Sequence, residues 1–193
     1  MSNTSKSIGS AKAAGLTMTA LFAALIACGA FISFPLPVSP VPIVLQNMFA
    51  IISGAVLGPL CGAAAVGLFL IAGMLGAPVF AGGTGGFAHF FGPTGGFLLG
   101  YMLGAFTTGL IAGTPLAGKK NGMLRMVLAC IAGFLIIYVP GVIRLHFIIG
   151  GTPAKAIAVG CLPFLPGDAV KVVIALITSH KLRAAAVNIA NRF

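Results

Sequence analysis

Acidic residues are almost missing from this sequence: of 193 residues, only Asp168 is an Asp or Glu. A single acid cannot supply the pair of carboxylates that many hydrolytic mechanisms use. Ser-His-Asp and HExxH arrangements are not available either, and no GxxxxGK[ST] motif is present to bind ATP in a P-loop. The sequence therefore predicts a protein that is not an enzyme, with no catalytic residues and no cofactor.

Charge of either sign is also scarce, since 6% of the residues are charged and 59% are hydrophobic. A soluble domain carries about 25% charged residues to cover its surface. The excess of apolar side chains is too large for a core of this size to absorb. We therefore expect the chain to be embedded in a lipid bilayer.

Metal-binding and disulfide patterns are absent as well. The four cysteines form no CxxC pair, and the three histidines lie far apart with no ligand spacing. These residues are Cys28, Cys61, Cys130, Cys161, His89, His146 and His180. We expect no metal site, with the cysteines packing as small hydrophobic side chains.

Six apolar segments remain, and together they predict an all-α, polytopic membrane protein with six transmembrane helices. Two prolines, Pro163 and Pro166, should interrupt the last region, so a short helix or re-entrant piece is expected at 154–162. The domain boundaries are an N-terminal tail at 1–15, a transmembrane domain at 16–180 and a C-terminal end at 181–193. The six segments are 16–34, 43–57, 60–75, 95–112, 123–149 and 166 to about 177 or beyond.

The net charge of +10 first suggests nucleic acid as a partner. However, the basic residues lie mainly between apolar runs, where they determine topology. Lys155 alone falls on one side of the six-span arrangement, and Arg144 and Lys171 fall inside spans. The other side carries Lys6, Lys12, Lys119, Lys120, Arg125, Lys181, Arg183 and Arg192. This asymmetry predicts cytoplasmic termini, with no nucleic-acid partner.

Three charged residues at membrane depth are candidates for a binding site. Asp168 and Lys171 are three positions apart and share one helix face. They form either a polar substrate site or a self-neutralising structural pair, with Asp168 as a helix cap. Arg144 either lines a pocket or extends its head group to the interface.

Small residues mark three further candidate surfaces, one in a loop and two on helices. The segment GGTGG at 82–86 could form a backbone cradle for a ligand through Gly83, Thr84 and Gly85, or could be a flexible loop. Helix faces of small residues permit close helix contacts, within the chain or with a partner. One such face combines Gly96, Gly100 and Gly104; the other combines Ala20, Ala23, Ala24 and Ala27.

Four blocks in this order resemble the BioY family, the substrate-capture (S) components of energy-coupling-factor (ECF) biotin transporters. They are PLPVSPVPI from position 35, PVFAGG from 78, GPTGG from 92 and LPFLPGDAVK from 162, after an Ala-rich first span. The resemblance covers residues from about 16 to 180. It implies a six-helix subunit of the bacterial plasma membrane that binds biotin at its outer face.

The resemblance also implies partners and residue roles. The partners would be a transmembrane coupling protein and two ATPase subunits. Asp168 and Lys171 would bind the ligand, and the face containing Ala20, Ala23, Ala24 and Ala27 would dock on the coupling protein. Two alternatives stay open: an S component for another vitamin, such as thiamine or riboflavin, and a membrane assembly or sensor subunit that does not transport.

Overall fold

Seven α-helices and one β-hairpin make up the part of the chain that the computed structural model describes, residues 2–114 and 122–190. Side chains are described for 13–114 and 122–183; the predicted loop cations Lys119 and Lys120 lie outside these residues. The elements are α1 (Ser2–Cys28), β1 (Ser33–Leu36), β2 (Ser39–Val44), α2 (Gln46–Leu57), α3 (Pro59–Met74), a 3-10 helix (Phe87–Phe91), α4 (Gly95–Ala112), α5 (Met123–Ile149), α6 (Pro153–Gly160) and α7 (Leu165–Ala190).

The Pro-rich segment forms a β-hairpin, which corrects the all-α prediction. Strands β1 and β2 pair antiparallel, with Ser33 opposite Val44 and Phe34 opposite Ile43. Proline lacks an N–H and is tolerated in edge strands, and both strands of an isolated hairpin are edges. The prediction that this segment is not helical is confirmed.

The first two spans have different ends from those predicted: α2 begins at Gln46 rather than at 43, because residues 43 and 44 belong to β2. Helix α1 ends at Cys28 rather than at 34, because the buried Gly29 packs against the start of α2. A Cβ added to Gly29 would lie 2.9 Å from the backbone nitrogen of Gln46, so only glycine permits this approach. Helix α1 also begins at Ser2 and includes most of the predicted tail.

The later helices agree closely with the sequence. The bounds of α4 and α5 are those predicted, and α6 occupies the predicted short helix. Helices α6 and α7 meet at a bend of 53° across the Pro-rich break. Pro166 lies in the first turn of α7, where its missing N–H costs no helical hydrogen bond.

Helix α2 lies at the centre of the bundle. It packs against α1, α3, α4, α5 and α7. Ten of its residues are buried, including the polar Gln46, Asn47 and Ser53. A helix surrounded in this way places its polar side chains inside the protein.

The glycine face of α4 packs against α5, as its four-residue spacing predicted. Gly100 lies so close that an added Cβ would be 2.5 Å from the carbonyl oxygen of Ile137. Gly96 and Gly104 approach Pro140 and Gly133 in the same way. The small residues therefore determine the separation of these two helices.

Apolar side chains cover the outside of the bundle. Helices α4 and α5 are each long and apolar enough to cross a membrane. The bent pair α6–α7 is also long and apolar enough when the two helices are taken as one span. Helices α2 and α3 and residues 13–28 of α1 are apolar but shorter. Large apolar side chains are exposed on the outside of the bundle, which is unfavourable in water. Examples are Leu60, Leu110, Leu135 and Val170. These features are those of a membrane-embedded protein.

Candidate ligand-binding site

Asp168 is the centre of a buried polar cluster near the hairpin. It lies in the first turn of α7 and is 6% exposed. Its Oδ1 accepts hydrogen bonds from Lys171 Nζ at 2.9 Å and Asn47 Nδ2 at 3.1 Å. Its Oδ2 accepts one from the Tyr138 hydroxyl at 2.5 Å. A buried carboxylate is tolerated only when paired and hydrogen-bonded in this way.

Lys171 links the same cluster to the hairpin. Its Nζ donates to the carbonyl oxygen of Val44 at 2.8 Å and to Asn47 Oδ1 at 3.0 Å, besides its ion pair with Asp168. All three ammonium donors can thus be used within the protein. The cluster joins the end of β2, the first turn of α2, the middle of α5 and the first turn of α7.

Asp168 and Lys171 were candidates from the sequence, whereas Asn47 and Tyr138 join their cluster only in the structure. A signal for both was present. Asn47 adjoins Gln46 in an otherwise apolar run, and Tyr138 is one of only two tyrosines in the sequence. The other, Tyr101, lines the same space. Polar side chains inside a membrane span are energetically costly unless they have polar partners. The sequence therefore implies a buried polar partner for both Asn47 and Tyr138.

Three voids extend from this cluster to the surface. The deepest, of about 30 Å³, is lined by residues that include Asn47, Tyr138, Asp168 and Lys171. A middle void of about 10 Å³ shares Val41, Pro42, Val44, Phe97 and Tyr101 with the deep one. An open cleft of about 400 Å³ shares Pro42, Ala81, His89 and Thr94 with the middle one. The hairpin residue Pro42 borders all three.

The predicted glycine-loop residues lie away from the Asp168 cluster. Thr84 is exposed, and its Oγ1 donates to the carbonyl oxygen of Ala81 at 3.0 Å. Gly85 lines the open cleft. Gly83 has a φ of +72°, a conformation that favours glycine, and its Cα faces the ring of Phe31. None of the three is part of the deep void's lining.

Arg144 is also separate from the cluster. Its guanidinium donates to the carbonyl oxygen of Phe91, at the end of the 3-10 helix. Its Nε is buried without a partner among the described residues. Arg144 therefore holds the glycine-rich segment against α5, a role that neither sequence interpretation included.

The alanine face of α1 is divided by the fold. Ala20 and Ala24 are exposed, whereas Ala23 and Ala27 pack partly against the core. Thr17, Leu21 and Cys28 are exposed on the same side as Ala20 and Ala24. The free surface is therefore narrower than the predicted stripe.

Among the described residues, no three His, Cys, Asp or Glu side chains gather as metal ligands.

Comparison with known proteins assigns the family. The family model described as "BioY family" matches residues 2–188. The chain is 42% identical to "Biotin transporter BioY" of Thermotoga maritima over 168 residues, covering 87% of this chain and 95% of that protein. It is 39% identical to "Probable biotin transporter BioY" of Pyrococcus horikoshii, covering 89% and 98%. The chain belongs to the BioY family.

A solved structure extends this result to the BioY fold. The crystal structure of "the S-component for biotin from an ECF-type ABC transporter" matches with a TM-score of 0.80 and 29% identity, over 95% of each chain. This BioY chain thus shares the arrangement of a membrane-embedded S component along nearly its whole length. BioY proteins are transporter components and not enzymes, which confirms the prediction made from the missing acids.

Proposed function

We propose that this chain is the substrate-capture subunit of a biotin transporter. Several relatives that match most of the chain are named biotin transporters, and the matching solved structure is a biotin S component. The observation that carries the proposal is the buried cluster around Asp168, which places an acidic, a basic, an amide and a phenol side chain in mutual contact inside an apolar protein. Membrane proteins place such groups mainly at substrate sites.

The chemistry of the cluster suits the ureido ring of biotin. That ring has two N–H donors and one carbonyl acceptor. Among the described residues, Oδ2 of Asp168 accepts from Tyr138 alone, so this oxygen can still accept a ureido N–H. Asn47 Nδ2 donates one hydrogen to Asp168, and its second N–H can donate to the ureido carbonyl. The adjacent Phe97, Ile137 and Phe164 supply apolar walls for the rest of the ligand.

Binding requires the site to widen. The deep void of about 30 Å³ is far smaller than a typical small-molecule pocket, which has a volume of roughly 300 Å³ or more. The hairpin and the glycine-rich segment border the open cleft, and their displacement would join the voids. Gly83, Thr84 and Gly85 then form the loop that biotin passes, and Arg144 contacts the ligand only after releasing Phe91.

The membrane arrangement follows from the same proposal. Six segments cross the bilayer: α1 to α5 and the bent pair α6–α7. Helix α2 has 12 residues and is shorter than a lipid-facing span, but its neighbours shield it from lipid. Both termini lie in the cytoplasm of a bacterium and the hairpin lies outside, in agreement with the distribution of Lys and Arg.

The partners complete the transporter. A transmembrane coupling protein docks on α1 through Ala20 and Ala24, with Ala23 and Ala27 at the edge of that surface. Two ATPase subunits supply the energy, since this sequence has no P-loop motif of its own. Biotin is the transported ligand and not a cofactor.

Ligand titration of the purified chain tests the function. Calorimetry with biotin, thiamine and riboflavin should give saturable binding for biotin alone. Expression in a biotin-auxotrophic bacterium that lacks its own transporter should restore growth on low biotin. Binding of thiamine or riboflavin instead would replace the proposed substrate, and biotin binding without uptake would favour a sensor.

A further inference from the structure

The far end of the row of voids carries its own polar group, His89. This histidine lies in the 3-10 helix and lines both the middle void and the open cleft. Its neighbour in both linings is Thr94, the residue before α4. Polar groups therefore stand at both ends of the row: Asp168 and its partners at the deep end, and His89 with Thr94 at the surface end.

The surrounding packing holds the His89 ring in place. The ring stacks on Phe80, with centroids 5.3 Å apart and planes at 25°. Phe80 is fully buried, and it packs edge-on against Phe69 and Phe90. His89 Nε2 also lies 3.4 Å from Thr84 Oγ1. A ring fixed by stacking keeps its N–H directions and loses little entropy when a ligand binds.

The electrostatics at this end favour an anion. The only carboxylate side chain in the sequence belongs to the deep cluster, so no acidic side chain competes for His89. The N-terminus of the 18-residue helix α4 follows Thr94 directly, and helix N-termini carry partial positive charge. Between the two ends, the shared walls are apolar apart from Tyr101: Val41, Pro42, Val44 and Phe97.

We propose that His89 releases the long contact of Nε2 with Thr84 and donates that N–H to the carboxylate of the ligand's tail, and so selects the free acid over uncharged derivatives. This inference rests on the proposed function. An elongated molecule with a ureido head and an anionic tail matches the order of groups in the protein: acceptor and donor cluster, apolar walls, then a fixed N–H. The aliphatic chain lies against Val41 and Phe97.

A two-by-two binding experiment tests the inference. Biotin and biotin methyl ester are titrated into the wild-type protein and into His89→Phe, which keeps a ring on Phe80 but removes the N–H. Affinity for biotin should fall about ten- to a hundred-fold, the effect of losing a hydrogen bond to a charged group. Affinity for the ester should fall less, by about two- to ten-fold, because its carbonyl accepts only a neutral hydrogen bond. His89→Gln, which keeps an N–H donor, should recover part of the preference for the acid.

Each result has a defined meaning. Equal losses for biotin and its ester in His89→Phe would show that His89 supports the loop and would overturn the inference, as would unchanged affinity for both. His89→Leu provides a second donor-free variant if the Phe variant does not fold. His180→Gln is the matched control, because His180 is exposed in the second half of α7 and lines none of the three voids. Failure of the wild type to bind biotin would instead refute the proposed function.

Discussion

At the residue scale, one charge pair organises four side chains from distant parts of the chain. Asn47 bonds to Asp168 across 121 positions, and Tyr138 does so across 30. The sequence indicated Asp168 because it is the only acid, and Lys171 because it lies on the same helix face. It could not indicate Asn47 and Tyr138 as partners, because the packing of α2 and α5 against α7 determines those distances.

Replacing the carboxylate should separate binding from stability. Asp168→Asn keeps the shape but removes the charge, and biotin affinity should fall about ten- to a hundred-fold. The variant should also melt at a lower temperature, because Lys171 is left buried without its counter-charge. Calorimetry measures the affinity, and thermal unfolding in detergent measures the stability.

The double variant Asp168→Asn with Lys171→Met controls for the unpaired lysine. It should recover much of the lost melting temperature, because no buried charge remains, but it should not recover biotin affinity. If Asp168→Asn binds biotin as tightly as the wild type does, the carboxylate is a structural group and the site lies elsewhere.

At the element scale, helices that are long and apolar were predictable, and turns made by tertiary contact were not. The bounds of α4 and α5 follow from composition and glycine at their ends. The hairpin does not follow from the sequence, because its prolines indicate a loop. The segment forms two strands only because they pair, with Ser33 opposite Val44. Helix α1 ends early because Gly29 meets α2, although the following Phe31 and Ile32 continue the apolar run.

The α4–α5 contact gives a matched pair of glycine substitutions. Gly100→Ala should destabilise the protein, because the new Cβ would lie 2.5 Å from the Ile137 carbonyl oxygen and push the helices apart. Gly67→Ala in α3 should be neutral or stabilising by up to about 1 kcal/mol, because nothing lies within 4 Å and alanine favours helix. Thermal unfolding compares them; equal melting temperatures would contradict the close packing.

The exposed part of α1 gives a prediction for partner docking. Ala24→Leu should weaken co-purification with the coupling protein, because added volume separates helices that meet through small residues. Biotin affinity should stay nearly unchanged, since Ala24 is exposed. Ala158→Leu, on exposed α6, is the control and should leave the complex intact. Lost biotin binding with a retained complex would instead assign Ala24 to packing within the chain.

At the scale of the whole molecule, two arginines of the basic side predicted from the sequence also connect the ends of neighbouring helices. Arg183, predicted to follow the last span as a loop cation, is buried and donates to the carbonyl oxygens of Ala55 and Gly113, at the ends of α2 and α4. Cations near helix C-termini are stabilising. Arg125 similarly donates to Ile111 at the end of α4. These two arginines therefore hold helix ends together, besides the role in orientation that the sequence predicts for them.

Cysteine labelling from outside intact cells should reveal the orientation of the bundle. The background should lack native cysteines, since Cys28 and Cys61 are exposed. Val38 is the position of choice in the hairpin, because it is 65% exposed whereas its neighbour Ser39 is buried. A membrane-impermeant maleimide should modify Val38→Cys and spare Asn121→Cys, which follows Lys119 and Lys120 in the sequence, because the excess of Lys and Arg predicts that this segment is cytoplasmic. Permeabilised cells provide the control, in which both positions react. Modification of Asn121→Cys alone in intact cells would show that the topology is the reverse of the predicted one. The proposed biotin site would then face the cytoplasm, where a capture subunit could not collect its substrate.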